Sequence, residues 1–243
     1  MSRIYVVGIG PGSISAMTED AKSAIENSDV IVGYKVYTDL IKELCEGKEI
    51  VDSKMRQEIE RCRLCAELAL SGKTVSLICS GDAGVYAMAS PMLEVALDAG
   101  FSDVTIVPGV TSALSGAAVL GAPLSHDFCT ISLSDLLTPW ETIEKRLRFA
   151  ASADFCIALY NPASHRRADY LKKACGILLE TLPSDRVCGY VRNIGRYGEE
   201  AKICTLGELA DEPVDMFVTV FIGNSQTYAK DGRMITPRGY KLQ

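Results

Sequence analysis

Eight short apolar runs rich in β-branched residues recur along the chain, at 3–8, 29–32, 74–79, 103–107, 128–132, 154–159, 186–191 and 217–222. Each has the length of a buried strand, and helical patterns separate many of them. Over 55–69, Met55, Ile59, Cys62, Ala66 and Ala69 recur at helical spacing and give one buried face. Over 138–151, Thr138 can cap, Pro139 takes the first helical position and Glu141 completes a capping box, ahead of a stripe of Trp140, Ile143, Leu147 and Ala150. Leu171, Ala174, Cys175 and Leu178 mark a further helix. Strands alternating with helices predict an α/β fold with mainly parallel sheets covered on both faces. A break near Gly121-Ala122-Pro123 divides the 243 residues into expected αβα domains at 1–120 and 121–243. Open α/β sheets bind ligands beyond the carboxyl ends of their strands, so two such domains predict a site in an interdomain cleft.

Composition narrows the classes of partner. A net charge of −6 argues against a nucleic-acid binder, which needs a basic face to neutralise phosphates. No apolar run reaches membrane-spanning length. The opening MSRIYVVGIG runs straight into a strand and has no cleavable signal, so a cytoplasmic protein with no membrane contact is expected. Nine scattered cysteines, several inside apolar segments, fit reduced thiols packed as small apolar residues. Cys62 and Cys65 form the one close pair, but no second pair stands at zinc spacing, and no resident metal is expected.

The first strand ends in Gly8-Ile9-Gly10-Pro11-Gly12. A strand, a glycine-rich turn and a helix suggest a nucleotide or adenosyl site. The dinucleotide fingerprint, however, places its third glycine one residue later and needs an acid after the second strand, where this chain has Gly33. A phosphate-binding loop would need a Lys-Ser/Thr pair, which is missing. Three more strand ends carry small or polar residues: Ser80-Gly81-Asp82-Ala83-Gly84, Pro108-Gly109-Val110-Thr111-Ser112 and Tyr160-Asn161-Pro162. Small residues there let a ligand approach the backbone closely.

GIGPG at 8–12, SGDAGVY at 80–86 and VPGVTSA at 107–113 resemble, in order and spacing, the motifs of the tetrapyrrole methylases. GAPLSHDFCTISLSDLLTPWE at 121–141, LYNPASHRR at 159–167, VRNIGRYGE at 191–199 and the closing IGNSQTY and MITPRGY resemble the branch that methylates carbon 17 of precorrin-3B or cobalt-factor III and contracts the ring. This resemblance implies two αβα domains, S-adenosylmethionine held in the cleft between them, a tetrapyrrole substrate and a homodimer. It assigns Pro11, Ser80, Gly81, Asp82, Val85, Thr111 and Ser112 to the cofactor from the first domain. Tyr160, Asn161, Gly189, Val191 and Thr219 would meet it from the second. The N-terminal glycine loop, with Gly10 and Gly12, would face the substrate.

Methyl transfer from a sulfonium is an in-line displacement with a neutral leaving group. The protein has mainly to align donor and acceptor and exclude water, so no triad is required. Ring contraction moves protons, and His126, Asp127, Ser134 and Asp135 in the branch-specific segment are the candidate acids or bases. His126 is also a candidate axial ligand to a substrate cobalt. The substrate's acetate and propionate arms suit arginine forks, for which Arg56, near a helix start, and Arg192, past a strand end, are the first choices. A sister methylase acting on another ring carbon would share the cofactor motifs but not ISLSDLLTPWE. A non-catalytic protein binding the corrinoid or the cofactor would bind both without turnover.

Overall fold

The computed structural model describes residues 2–54, 57–164 and 167–241. The contacts divide the chain into two compact units, Met1–Thr111 and Ser112–Gln243. The first contains β1 (Ile4–Gly8), α1 (Glu19–Glu26), β2 (Val30–Tyr34), α2 (Lys35–Thr38), β3 (Glu49–Ser53), α3 (Glu58–Leu70), β4 (Val75–Cys79), α4 (Ala89–Asp98) and β5 (Val104–Val107). The second contains α5 (Ser112–Leu120), β6 (Gly121–Ala122), β7 (Phe128–Ser132), α6 (Trp140–Ser152), β8 (Cys156–Tyr160), α7 (Tyr170–Leu178), β9 (Val187–Arg192), β10 (Glu200–Thr205), α8 (Leu206–Leu209), β11 (Val218–Ile222), β12 (Tyr228–Lys230) and β13 (Arg233–Ile235). All eight expected strands are present.

The first sheet has the order β3-β2-β4-β1-β5 and every pair in it is parallel. Successive strand residues serve opposite faces, as the two-residue period requires. Val6, Val30, Val32 and Leu77 pack under α3 and α4, while Val7, Ile31 and Ile78 pack under α1. Helix α1 is capped by Thr18, whose hydroxyl accepts from the Ala21 N–H at 3.1 Å, with Glu19 and Asp20 in the favourable first turn.

The second sheet, β10-β9-β11-β8-β7, departs from the expected parallel arrangement. Only β7 and β8 are parallel, and β8-β11, β11-β9 and β9-β10 are antiparallel. The short connection from β9 to β10 explains one pair, because a parallel return needs a crossover of a dozen or more residues. Apolar runs record burial and carry no sign of strand direction. One face of this sheet packs on α6, α7 and α8 through Ile157, Leu159, Val218 and Val220. The other face packs on α5: Ala113, Ala117 and Leu120 meet Ala158, Val191, Phe221 and Met234. A small third sheet, β12-β13-β6, completes this unit.

The start of α6 differs from the expected cap. Pro139, with ψ 143°, is itself the N-cap and makes no side-chain cap bond; the helix begins at Trp140. The proline ring fixes φ but not ψ, so it fits either position. A capping box does form at α8, between Thr205 and Glu208. Among the described residues, no helix is long and apolar enough to cross a membrane.

Candidate active site

In the first unit the ends of β1, β4 and β5 are fastened together by backbone. Gly10 and Gly81 exchange two hydrogen bonds, at 3.0 and 2.8 Å. A Cβ on Gly8 would lie 2.7 Å from the Gly81 carbonyl oxygen and 2.8 Å from the Gly109 nitrogen; one on Gly109 would lie 2.2 Å from the Gly81 oxygen. Only glycine permits this approach. Asp82 completes the fastening: its two carboxylate oxygens accept from the Gly84 N–H at 2.8 Å and the Gly109 N–H at 3.0 Å. It therefore joins the loop after β4 to the loop after β5. Around this junction, Pro11 is buried, Gly12, Ser80, Val85 and Thr111 are half-buried, and Gly10 and Gly81 are buried.

In the second unit the register brings several expected residues into one row. Ser132 pairs with Tyr160 across β7-β8, Leu159 with Val220 across β8-β11, and Thr219 with Val191 across β11-β9. Tyr160, Thr219 and Val191 thus stand level at one end of the sheet, on the side where α5 starts. The Tyr160 hydroxyl accepts from the Ala113 N–H at 2.9 Å and so caps α5 just past Ser112. Asn161, at φ 54°, donates from Nδ2 to the Ser132 hydroxyl at 2.9 Å. Gly189 lies elsewhere, mid-strand opposite Phe221. A Cβ there would meet the Lys202 carbonyl oxygen at 3.0 Å and a Leu120 methyl at 3.1 Å, so this glycine admits α5 to the sheet.

The four candidate acids and bases separate into two pairs. His126 and Asp127 precede β7, and Ser134 and Asp135 follow it, so the two pairs lie at opposite ends of that five-residue strand. Both members of the first pair are exposed. The His126 Nδ1 accepts from the Asp127 N–H at 3.0 Å, an arrangement that puts a neutral ring's proton on Nε2. Asp135 is engaged on both oxygens, by the Tyr170 hydroxyl at 2.6 Å and by Arg167 Nε. The Tyr170 hydrogen bond first, then Arg167, hold its carboxyl below the usual carboxylate range, and the same bond raises the Tyr170 phenol. Ser134 is half-buried, and its N–H donates to the Ser132 hydroxyl at 3.3 Å.

Arg192 is also committed. Its guanidinium pairs with Asp215, donates to the Pro213 carbonyl at 2.7 Å and lies 3.8 Å from Glu200. Arg56 lies outside the described residues.

The family model for tetrapyrrole (corrin/porphyrin) methylases matches residues 3–210. The chain belongs to the tetrapyrrole methylases. This methylase is 48% identical over 243 residues to a probable cobalt-factor III C(17)-methyltransferase of Salmonella typhimurium, covering 98% of this chain and all of that one. It is 40% identical over 247 residues to a precorrin-3B C(17)-methyltransferase of a Sinorhizobium species, covering 98% of this chain and 96% of the other. Among solved structures, the crystal structure of the methyltransferase CobJ superposes with a TM-score of 0.91 at 35% identity, over 98% of this chain and all of that one.

The strand-end loops are also held by residues outside the expected site set. Ser132, Arg167, Tyr170 and Asp215 hold the strand-end loops through their side chains. Gly8 and Gly109 do so by having none. Gly8 and Gly109 stood inside the quoted motifs. The partnership of Asp135 with Arg167 and Tyr170 spans more than thirty positions and left no mark in local spacing.

Proposed function

We propose that this methylase transfers a methyl group from S-adenosylmethionine to carbon 17 of precorrin-3B or its cobalt-bearing counterpart, with contraction of the macrocycle, on the route to cobalamin. The observation that carries the reading is its full-length likeness to C(17)-methyltransferases that act on either substrate. The cofactor would supply an electrophilic methyl group on a good leaving group. The chain's own task is then to hold donor and acceptor in line and dry.

On this reading Pro11, Ser80, Gly81, Val85, Thr111 and Ser112 contact the cofactor, as do Tyr160, Asn161, Val191 and Thr219. Asp82 holds two of those loops in register, and Gly189 lets α5 approach the sheet. Gly10 and Gly12 face the substrate. Asp135 serves as an ionised strut, because both its oxygens are already occupied. Proton movement during contraction then falls to Ser134 or to the exposed His126 and Asp127. The enzyme works as a cytoplasmic homodimer of two-domain subunits, without nucleic acid or membrane.

The test is an anaerobic incubation with methyl-labelled S-adenosylmethionine and trimethylated tetrapyrroles, with and without cobalt, read by product mass and absorbance. One added methyl at ring D with a shifted chromophore is expected, and the preferred substrate decides the cobalt question. Labelling at another ring carbon would make the chain a sister methylase. Tight binding of both ligands without transfer would make it a binding protein.

A further inference from the structure

The segment after β7 combines firm anchorage with extreme exposure. At its near end Leu133 is fully buried, and its N–H donates to the Tyr160 carbonyl at 2.9 Å. Asp135 is clamped by Arg167 and Tyr170. At its far end Trp140 packs against Tyr170 in a tilted ring pair with centroids 4.6 Å apart, and its indole N–H donates to Glu144 at 2.8 Å. Between these anchors Leu136 is 59% exposed and Leu137 is 98% exposed. Among the described residues no large aliphatic side chain is more exposed than Leu137. Single apolar side chains in water are common, but two adjacent leucines on a braced loop have no local reason to be there. The anchors hold both ends of the segment that carries the pair.

The loop leaves the same end of the sheet as Tyr160, Thr219 and Val191, the end at which an α/β sheet receives small molecules. The proposed substrate is a flat, largely apolar macrocycle rimmed with carboxylates. Its rim suits polar partners, and its face needs an apolar surface. We infer that Leu136 and Leu137 form a fixed apolar clasp that seats the face of the tetrapyrrole macrocycle, with Asp135, Arg167, Tyr170 and Trp140 as its frame. The inference rests on the proposed substrate class. Neither leucine takes part in bond making; both are positioning residues.

The test uses Trp140, the single tryptophan, as a built-in reporter. A bound tetrapyrrole absorbs its emission, so quenching gives the dissociation constant directly. The variants are Leu136→Ser/Leu137→Ser and the conservative Leu137→Met. Both leucines are exposed, so the fold should survive either change. The serine pair should weaken tetrapyrrole binding and raise its KM by about tenfold or more, the scale expected if the two leucines together bury about 60 Å² of apolar surface against the macrocycle. It should leave S-adenosylmethionine affinity and oligomeric state unchanged, and Leu137→Met should behave as wild type. Unchanged quenching in the serine pair overturns the clasp while leaving the methylation reading intact. Dissociation of an oligomer on substitution also overturns it, and assigns the leucines to a subunit contact. Wild-type protein that neither quenches nor methylates overturns both proposals.

Discussion

At the residue scale, the strand-end carboxylates act mainly by holding loops. Asp82→Ala removes the acceptor for two backbone N–H groups at once, with an expected total cost of about 1–3 kcal/mol, most of it at the half-buried Gly109 N–H because water can replace the bond to the exposed Gly84 N–H. It should weaken cofactor affinity more than tetrapyrrole affinity, which calorimetric titration with each ligand would measure. Asp135 carries a pH signature. A carboxyl held below its ordinary value contributes stability that is full above the unfolded-state value and drains as pH falls through the native one. The melting temperature should therefore fall more steeply below about pH 4 in wild type than in Asp135→Asn, with the two curves running parallel above about pH 5. Scanning calorimetry across that range is the check, and identical slopes would remove Asp135 from the frame. The sequence marked Asp82 and Asp135 as important residue types at strand ends. It could not reveal that their partners, Gly84 and Gly109 for one and Arg167 and Tyr170 for the other, engage both oxygens of each.

At the element scale, α5 is the piece whose placement decides most. Its motif VPGVTSA begins on β5, yet the helix packs on the second sheet. A Cβ on Gly116 would lie 2.9 Å from both Ile194 and Phe221. Gly116→Ala should therefore destabilise by about 1–3 kcal/mol through overpacking, measured by urea unfolding. A fragment beginning at Ser112 should melt cooperatively. One beginning at Gly121 would lack α5 and expose Ala158, Val191 and Phe221, and should bind a hydrophobic dye instead; circular dichroism and dye fluorescence distinguish the two. The strands legible in the sequence were those with apolar β-branched runs. Strands β3 (EIVDS) and β10 (EAKICT) lie at sheet edges, mix charges into their runs and stay largely exposed, so burial left too little pattern to read. Strand direction in the second sheet was equally illegible, because hydrophobic periodicity is the same in either sense.

At the scale of the whole molecule, each five-stranded sheet packs against helices on both faces, and the cysteines are part of that packing. Burial pushes the thiols of Cys62, Cys129 and Cys204 up to about 11 and those of Cys79 and Cys175 up to about 12. Thiolates are the reactive form, so the native protein at pH 8 should react slowly with a disulfide reagent, beginning at the half-buried Cys129, and all nine thiols should appear on denaturation. A fast stoichiometric reaction of Cys62 and Cys65 would contradict this packing role. The fastening of Gly8, Gly81 and Gly109 also constrains how such a chain can drift. A side chain on Gly8 strikes the backbone of Gly81 and Gly109, and one on Gly109 strikes the backbone of Gly81 and Gly8, so the first replacement does the damage and a second adds little. Gly8→Ala and Gly109→Ala combined should lose much less stability than their separate losses added together. Descendants of this chain are therefore expected to keep or abandon Gly8 and Gly109 together, as a single inherited character spread over a hundred positions.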